Sequence, residues 1–307
     1  MSTPTLPPDH AARLERARLA LDGLSVGDAL GETCFRPENW DALLDDPRAT
    51  ARGPWPYTDD TAMALGIFEV LERHGRVDQD HLTGRFAARW QAQPWRGYGA
   101  GAFRLLGAIH AGADWRAAAE ALFGGGSFGN GSAMRIAPLA GYFAEDGSEK
   151  VAEQAALSAA VTHMHPEGVA GGIAAAVAGA YAWANRDRRT DEAVKRGLFD
   201  AVLSQTPAGQ VRKGIEHAAT IPFELSIEAV SRLLGNGSRI SCQDTVPFCV
   251  WVAARHLDDY QTAIVNTIRA GGDIDTNAAI VGGIVALAVG RDAIPPDWLK
   301  DREELVV

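Results

Sequence analysis

Little in this 307-residue chain points to a membrane, a disulfide scaffold or a nucleic acid. There are three cysteines, Cys34, Cys242 and Cys249. The number is odd and no C-x-x-C spacing occurs, which argues against a disulfide framework and a thiolate metal site. No uninterrupted apolar stretch is long enough to span a bilayer; residues 170–184 are Ala/Gly-rich and too short. The N-terminus lacks the apolar core of a secretory signal and residues 10–18 are charged, so a cytoplasmic location is expected. Basic charge is scarce: 29 Lys and Arg stand against 39 Asp and Glu, a net of −10. That excess argues against general nucleic-acid binding, and any bound phosphate must be held by local donors. Alternating strand patterns, repeats of fixed period and linker-like composition breaks are also lacking.

What remains is helical. Hydrophobic residues make up 47% of the chain, Ala is abundant, and Ala is the best helix former. After a loose tail at residues 1–8, residues 9–307 read as one compact all-α domain. Leu14, Ala17, Leu21 and Leu24 form a helical stripe running into Gly27-Asp28-Ala29-Leu30-Gly31. Residues 32–57 read as irregular. A helix opens at Thr58-Asp59-Asp60-Thr61 and ends near His74-Gly75, with Gly as C-cap. Others are expected at 80–91, 102–111, 151–162, 167–183, 191–204, 208–218, 226–234, 244–257 and 259–270. A final small-residue helix follows Asp273-Ile274-Asp275-Thr276 and runs to about Val289. Pro166 suits the first turn of its helix. The 33 glycines cluster, which points to loops shaped for close approach to a ligand.

The two acidic clusters share one chemistry: two carboxylates and one or two hydroxyls at a helix start. Capping explains each alone, since Asp and Thr oxygens accept orphan backbone N–H groups and suit the helix dipole. A pair of hard divalent cations is the other reading, because such ions want oxygen ligands and keep open positions. Adjacent anions at Asp59 and Asp60, the flexible Gly271-Gly272 pair and the bulk-free face of Ala278, Ala279, Gly282, Gly283 and Ala286 favour the cations. A helix that small can pack deep inside, and it would bring its carboxylates with it.

At this point the chain resembles the ADP-ribosylglycohydrolase family. The matching segments, in family order, are G-D-A-L-G at 27–31, Y-T-D-D-T at 57–61, G-Y-G-A-G at 97–101, G-N-G-S-A-M-R at 129–135, T-H-M-H-P at 162–166 and G-G-D-I-D-T at 271–276. They cover roughly residues 15–290, and the ordered pair T-D-D-T and G-D-x-D-T is the specific part. The resemblance implies a fold of that type and a Mg2+-dependent hydrolase releasing ADP-ribose from a protein or small-molecule acceptor. It implies two Mg2+ ions, with Mn2+ able to substitute, held by Thr58, Asp59, Asp60, Asp273, Asp275 and Thr276. Gly97, Tyr98, Gly99 and Gly101 are implied to bind the pyrophosphate, a role that successive N–H groups before a helix can fill. Asn130, Gly131, Ser132, Met134 and His163 are implied to contact ADP-ribose, while His165 reads as structural. The catalytic carboxylates are expected to be Asp273 and Glu32. Relatives often carry a Glu a few residues beyond G-D-A-L-G; Phe35 stands four positions beyond Gly31, so Glu32 is the nearby candidate. Asp28 reads as a capping residue, Cys34 as a small buried hydrophobe, and Cys249 and Trp251 as core. A monomer is expected. A non-catalytic ADP-ribose reader and a two-metal phosphoesterase are the competing functions.

Overall fold

The stripe from Leu14 to Leu24 does form a helix, and it does not stop at the G-D-A-L-G segment. In a computed structural model, which describes residues 6–306, helix α1 spans His10–Thr33. The reason is packing. Gly23, Gly27 and Gly31, four residues apart, lie on one face of α1 against a helix from the far end of the chain, α16 (Ile274–Val289). A Cβ at Gly27 would lie 2.1 Å from the carbonyl oxygen of Ala278, and one at Gly31 would lie 2.7 Å from Cα of Asp275. The two backbones touch, and any side chain would hold them apart. The glycines of this segment are helix-packing residues. This contact sets Asp28 and Glu32 of α1 beside the start of α16.

The remaining helices follow in chain order. They are α2 (Pro37–Asp45), α3 (Asp59–His74), α4 (Gln79–Ala92), α5 (Ala100–His110), α6 (Trp115–Ala121), α7 (Gly131–Met134), α8 (Ala137–Phe143) and α9 (Ser148–Ala160). Then come α10 (Pro166–Ala184), α11 (Glu192–Gln205), α12 (Gln210–Thr220), α13 (Ile227–Leu234), α14 (Cys242–Arg255), α15 (Tyr260–Arg269) and, after α16, α17 (Pro296–Asp301). Among the described residues the only β pairing is a single bridge between Trp55 and Arg302. None of the described helices is long and apolar enough to cross a membrane.

Most expected helices are present within a few residues. Gly75 takes the left-handed conformation that ends α3, and Pro166 sits in the first turn of α10. The stretch 32–57 is less irregular than expected, because α2 forms there with Pro37 in its first turn. Only Leu43 of α2 is buried, so its apolar stripe is too narrow to read. The short helices α6, α7, α8 and α17 were also illegible; at four to seven residues they carry barely one helical period. Of the tail expected at 1–8, residues 1–5 lie outside the described residues, and Leu6 and Pro7 stand against the turn at Gly75. Cys249 and Trp251 are fully buried, as expected of core. Cys34 is buried too, and burial pushes its thiol up to about 11, which leaves it an inert apolar filler.

Helix α16 is the axis of the core. It is buried along nearly its whole length and packs on α1, α10, α14 and α15. Helix α3 crosses α1, so the first turns of α3 and α16 arrive at the same end of α1.

Candidate metal centre and ligand loops

Asp28 makes the junction. Its carboxylate, fully buried in the last third of α1, accepts from the backbone N–H groups of Thr58 and Thr61. It also accepts from the two hydroxyls, at 2.8 Å from Thr58 Oγ1 and 2.5 Å from Thr61 Oγ1. Asp28 is therefore a cap delivered to α3 from another helix. Thr58 is the N-cap of α3 in its own right, accepting weakly from the N–H of Asp60 at 3.4 Å. The capping reading fails at the other cluster: Asp273 precedes α16 but makes no side-chain cap bond. Its Oδ2 accepts from Asn130 Nδ2 at 2.7 Å, and its N–H donates to the carbonyl of Asn236 at 3.1 Å.

The two clusters meet. Carboxylate oxygens of Asp28, Asp60 and Asp275 lie within 4.8 Å of one another. Burial, and then the charges of Asp28, Asp275, Asp59 and Asp273, hold Asp60 well above the usual carboxylate range. Asp275 is raised by burial and by Asp273, Asp28 and Glu32, and Asp59 is pushed up to about 8 by burial and Asp28. Glu32 is half-buried at the edge of this group and is raised by burial and by Asp28. Carboxylates this crowded repel one another unless a cation joins them.

The donor set fits a hard divalent cation, and two atoms say where. Among the described residues, Asp60 Oδ1 and Asp275 Oδ1 are buried with no hydrogen-bond partner. The oxygens of Asp28 are already filled by Thr58 and Thr61, so Asp28 orients the site while Asp60 and Asp275 offer open lone pairs. Asp59 and Thr58 face the loop at Gly97, where a Cβ would lie 3.7 Å from Asp59 Oδ1. Thr276 is nearly buried one residue beyond Asp275.

Two glycine-rich loops border the acids. Residues 97–101 lead into α5, with Gly99 as its N-cap; Arg96 clamps the loop by donating to the Tyr57 carbonyl and to Glu303. The ring of Tyr98 is buried beneath, so the loop offers backbone rather than side chain. The second loop, residues 124–131, is tied to the acids through Asn130, which bonds Thr245 as well as Asp273. Gly131 is obligatory: a Cβ would lie 2.9 Å from the ring of His163. Ser132 and Met134 follow this loop in α7. The Ser132 hydroxyl donates to the carbonyl of Gly168 at 2.6 Å, and both side chains are buried. His163 lies against this loop and is pulled down to about 3 by burial and by Arg135, so it is neutral. His165 accepts the Glu167 N–H as N-cap of α10, a structural role.

Three features of the site went unread in the sequence. Phe123, just before the second loop, and Phe128, within it, are exposed at 63% and 44%. Phe123 adopts φ 57°, and its ring stands against Gly101 of the first loop. Asn236 supplies the carbonyl that holds both Asp273 N–H and Asn277 Nδ2. Aromatic residues beside glycines were a usable signal for the first; nothing local marks Asn236.

Known proteins carry the same architecture. The sequence model of one family, described as ADP-ribosylglycohydrolase, matches residues 9–306. The chain is 30% identical to the zebrafish (Danio rerio) ADP-ribosylhydrolase ARH3, over 93% of this chain and 85% of that protein. It is 29% identical to the human (Homo sapiens) ADP-ribosylhydrolase ARH3, over 95% and 90%. A solved structure titled ADP-ribosylglycohydrolase-related protein complex superposes with a TM-score of 0.66 at 24% identity, covering 95% of this chain and 94% of that one, a likeness of fold. With the family matched across nearly its whole length, this chain belongs to the ADP-ribosylglycohydrolase family and is a glycohydrolase enzyme.

Proposed function

We propose that the enzyme hydrolyses the bond between the distal ribose of ADP-ribose and its acceptor, with two Mg2+ ions in the acidic centre. The observation that carries this is the pair of buried, unpartnered oxygens on Asp60 and Asp275, one from each end of the chain. Thr58, Asp59, Asp60, Asp273, Asp275 and Thr276 would hold the ions, and Mn2+ would serve in their place. Ions held there would supply Lewis-acid stabilisation of the charge that develops as the glycosidic bond breaks.

The chain's own residues do the rest. Backbone N–H groups of residues 97–101 at the start of α5 receive the pyrophosphate, which a chain of net charge −10 cannot attract by its overall field. Phe123 and Phe128 offer faces for the adenine to stack on. Asn130 orients Asp273, and the neutral ring of His163 donates to the ligand. Glu32 carries no side-chain hydrogen bond among the described residues and sits at the rim, so it is free to take the proton from the attacking water. Asp273 positions that water. The ADP-ribosylated acceptor is a protein side chain or a small molecule. We read the protein as cytoplasmic, where its three buried, unpaired cysteines would stay reduced.

The test is release from a panel of ADP-ribosylated acceptors, with product identified by mass spectrometry. Free ADP-ribose should appear, EDTA should stop it and Mg2+ should restore it. AMP as product would make the enzyme a phosphoesterase, and turnover indifferent to EDTA would overturn the metal assignment.

A further inference from the structure

Among the described residues the buried cation Arg135 has no carboxylate partner, and its hydrogen bonds lead to the site. Arg135 is fully buried at the end of α7, with its guanidinium over the ring of Phe86. Its Nη2 donates to the carbonyl of Ser158 at 3.0 Å and to Thr162 Oγ1 at 2.8 Å, which uses both protons on that nitrogen. Thr162 Oγ1 in turn lies 2.7 Å from His163 Nδ1. A guanidinium can only donate. The threonine oxygen therefore accepts from Arg135, and among the described residues His163 Nδ1 is the only acceptor within reach of its own proton. The arrangement that leaves no buried hydroxyl proton unpaired makes Nδ1 the bare, accepting nitrogen and puts the ring proton on Nε2. That atom faces the second glycine loop: Cβ atoms built at Gly131 and Gly129 would lie 3.1 and 3.4 Å from it.

We propose that Arg135 and Thr162 form a relay that fixes the His163 tautomer, so that Nε2–H is presented to the ligand as a donor. Arg135 and Thr162 are positioning residues. Neither reaches the loop surface, and both act through the imidazole. The ligand group facing His163 must be an acceptor, a phosphate or ribose oxygen. A bare nitrogen there would repel the same oxygen. The direction of the chain matters for an anionic ligand, because the imidazole stays neutral and so donates at one atom only. The identity of the ligand rests on the glycohydrolase reading; the tautomer does not.

The test has two readouts. Nitrogen-15 NMR of the full-length protein should give His163 a protonated Nε2 and an unprotonated Nδ1 at neutral pH. Thr162→Val should release the ring to the other tautomer or a mixture and raise KM for an ADP-ribosylated substrate about tenfold, with kcat nearly unchanged. Thr162→Ser should restore both. An Nδ1–H ring or an imidazolium in the wild type would overturn the relay, as would a Thr162→Val variant that keeps tautomer and KM. If the wild type holds the Nε2–H tautomer yet releases no ADP-ribose from any acceptor, the glycohydrolase reading fails and the relay stands.

Discussion

Replacing Gly27 by Ala should damage this protein, although Ala is the better helix former. Propensity alone favours the change by about 1 kcal/mol in a helix interior. The structure reverses the sign. The new methyl would lie 2.1 Å from the carbonyl oxygen of Ala278 and 2.6 Å from its carbonyl carbon, both α16 backbone. Ordinary contact begins at 3.4 Å, so α1 and α16 must part by about 1.3 Å. Neither helix can yield locally, since α16 is buried on all sides. Overpacking of this kind costs about 1–3 kcal/mol, and the backbone clash belongs at the upper end. After the propensity gain the net loss is about 2 kcal/mol, a fall in melting temperature of roughly 4 °C. The same movement separates Asp28 and Asp60 from Asp275, and a misplacement of about 1 Å lowers turnover on the order of a hundredfold. Gly84→Ala is the control. Gly84 lies within α4, and its Cβ would meet nothing within 4 Å, so that change should stabilise by about 0.5–1 kcal/mol. Thermal melts and ADP-ribose release on both variants decide it. Gly27→Ala with wild-type melting and turnover would refute the claim that backbone contact builds the site.

Three further outcomes follow. Asp60→Asn should abolish turnover yet raise the melting temperature without metal, because it takes one acidic group out of a buried, mutually repelling cluster; Mg2+ should then stabilise the variant far less than the wild type, where saturation at a hundred times Kd is worth about 2.7 kcal/mol. A metal-dependent shift equal in both proteins would count against Asp60 as a ligand. Glu32→Gln should lower kcat by about a hundredfold or more while ADP-ribose still binds, and an unchanged kcat would move the base elsewhere. Burial, then the charge of Arg255, pulls His256 down to about 4 from its ordinary 6.5. Its folded pKa is depressed, so its stability is complete above pH 6.5 and is lost as pH falls toward 4, by about 3 kcal/mol at most. Urea melts of His256→Gln across that window should show a flatter pH dependence; parallel curves would exclude His256 as a source.

Legibility followed the length and composition of each segment. Long helices with a clear apolar stripe, such as α3 and α15, were readable because the 3.6-residue period repeats several times. The short α6, α7, α8 and α17 have too few residues for a period, and their place is set by what they pack against. The acidic and glycine-rich motifs were legible as motifs, and the fold brings them side by side. Some of their residues have other work: Ser132 bonds the backbone of Gly168, and Gly27 and Gly31 lie inside a helix.

The amino-acid order alone determined that the chain is helical, that two Asp-Thr clusters begin helices, and that family motifs run through it from end to end. Those are local properties, written in period, capping preference and motif. Only the tertiary structure decided that Asp60 and Asp275 face each other with free oxygens, that Asp28 caps a helix 30 residues away, and that Arg135 reaches His163 through Thr162. Each depends on distant segments coming into contact. Such contacts arise because three glycines on α1 and a small-residue α16 let two backbones touch, and no local pattern encodes which surface a bare helix face will find.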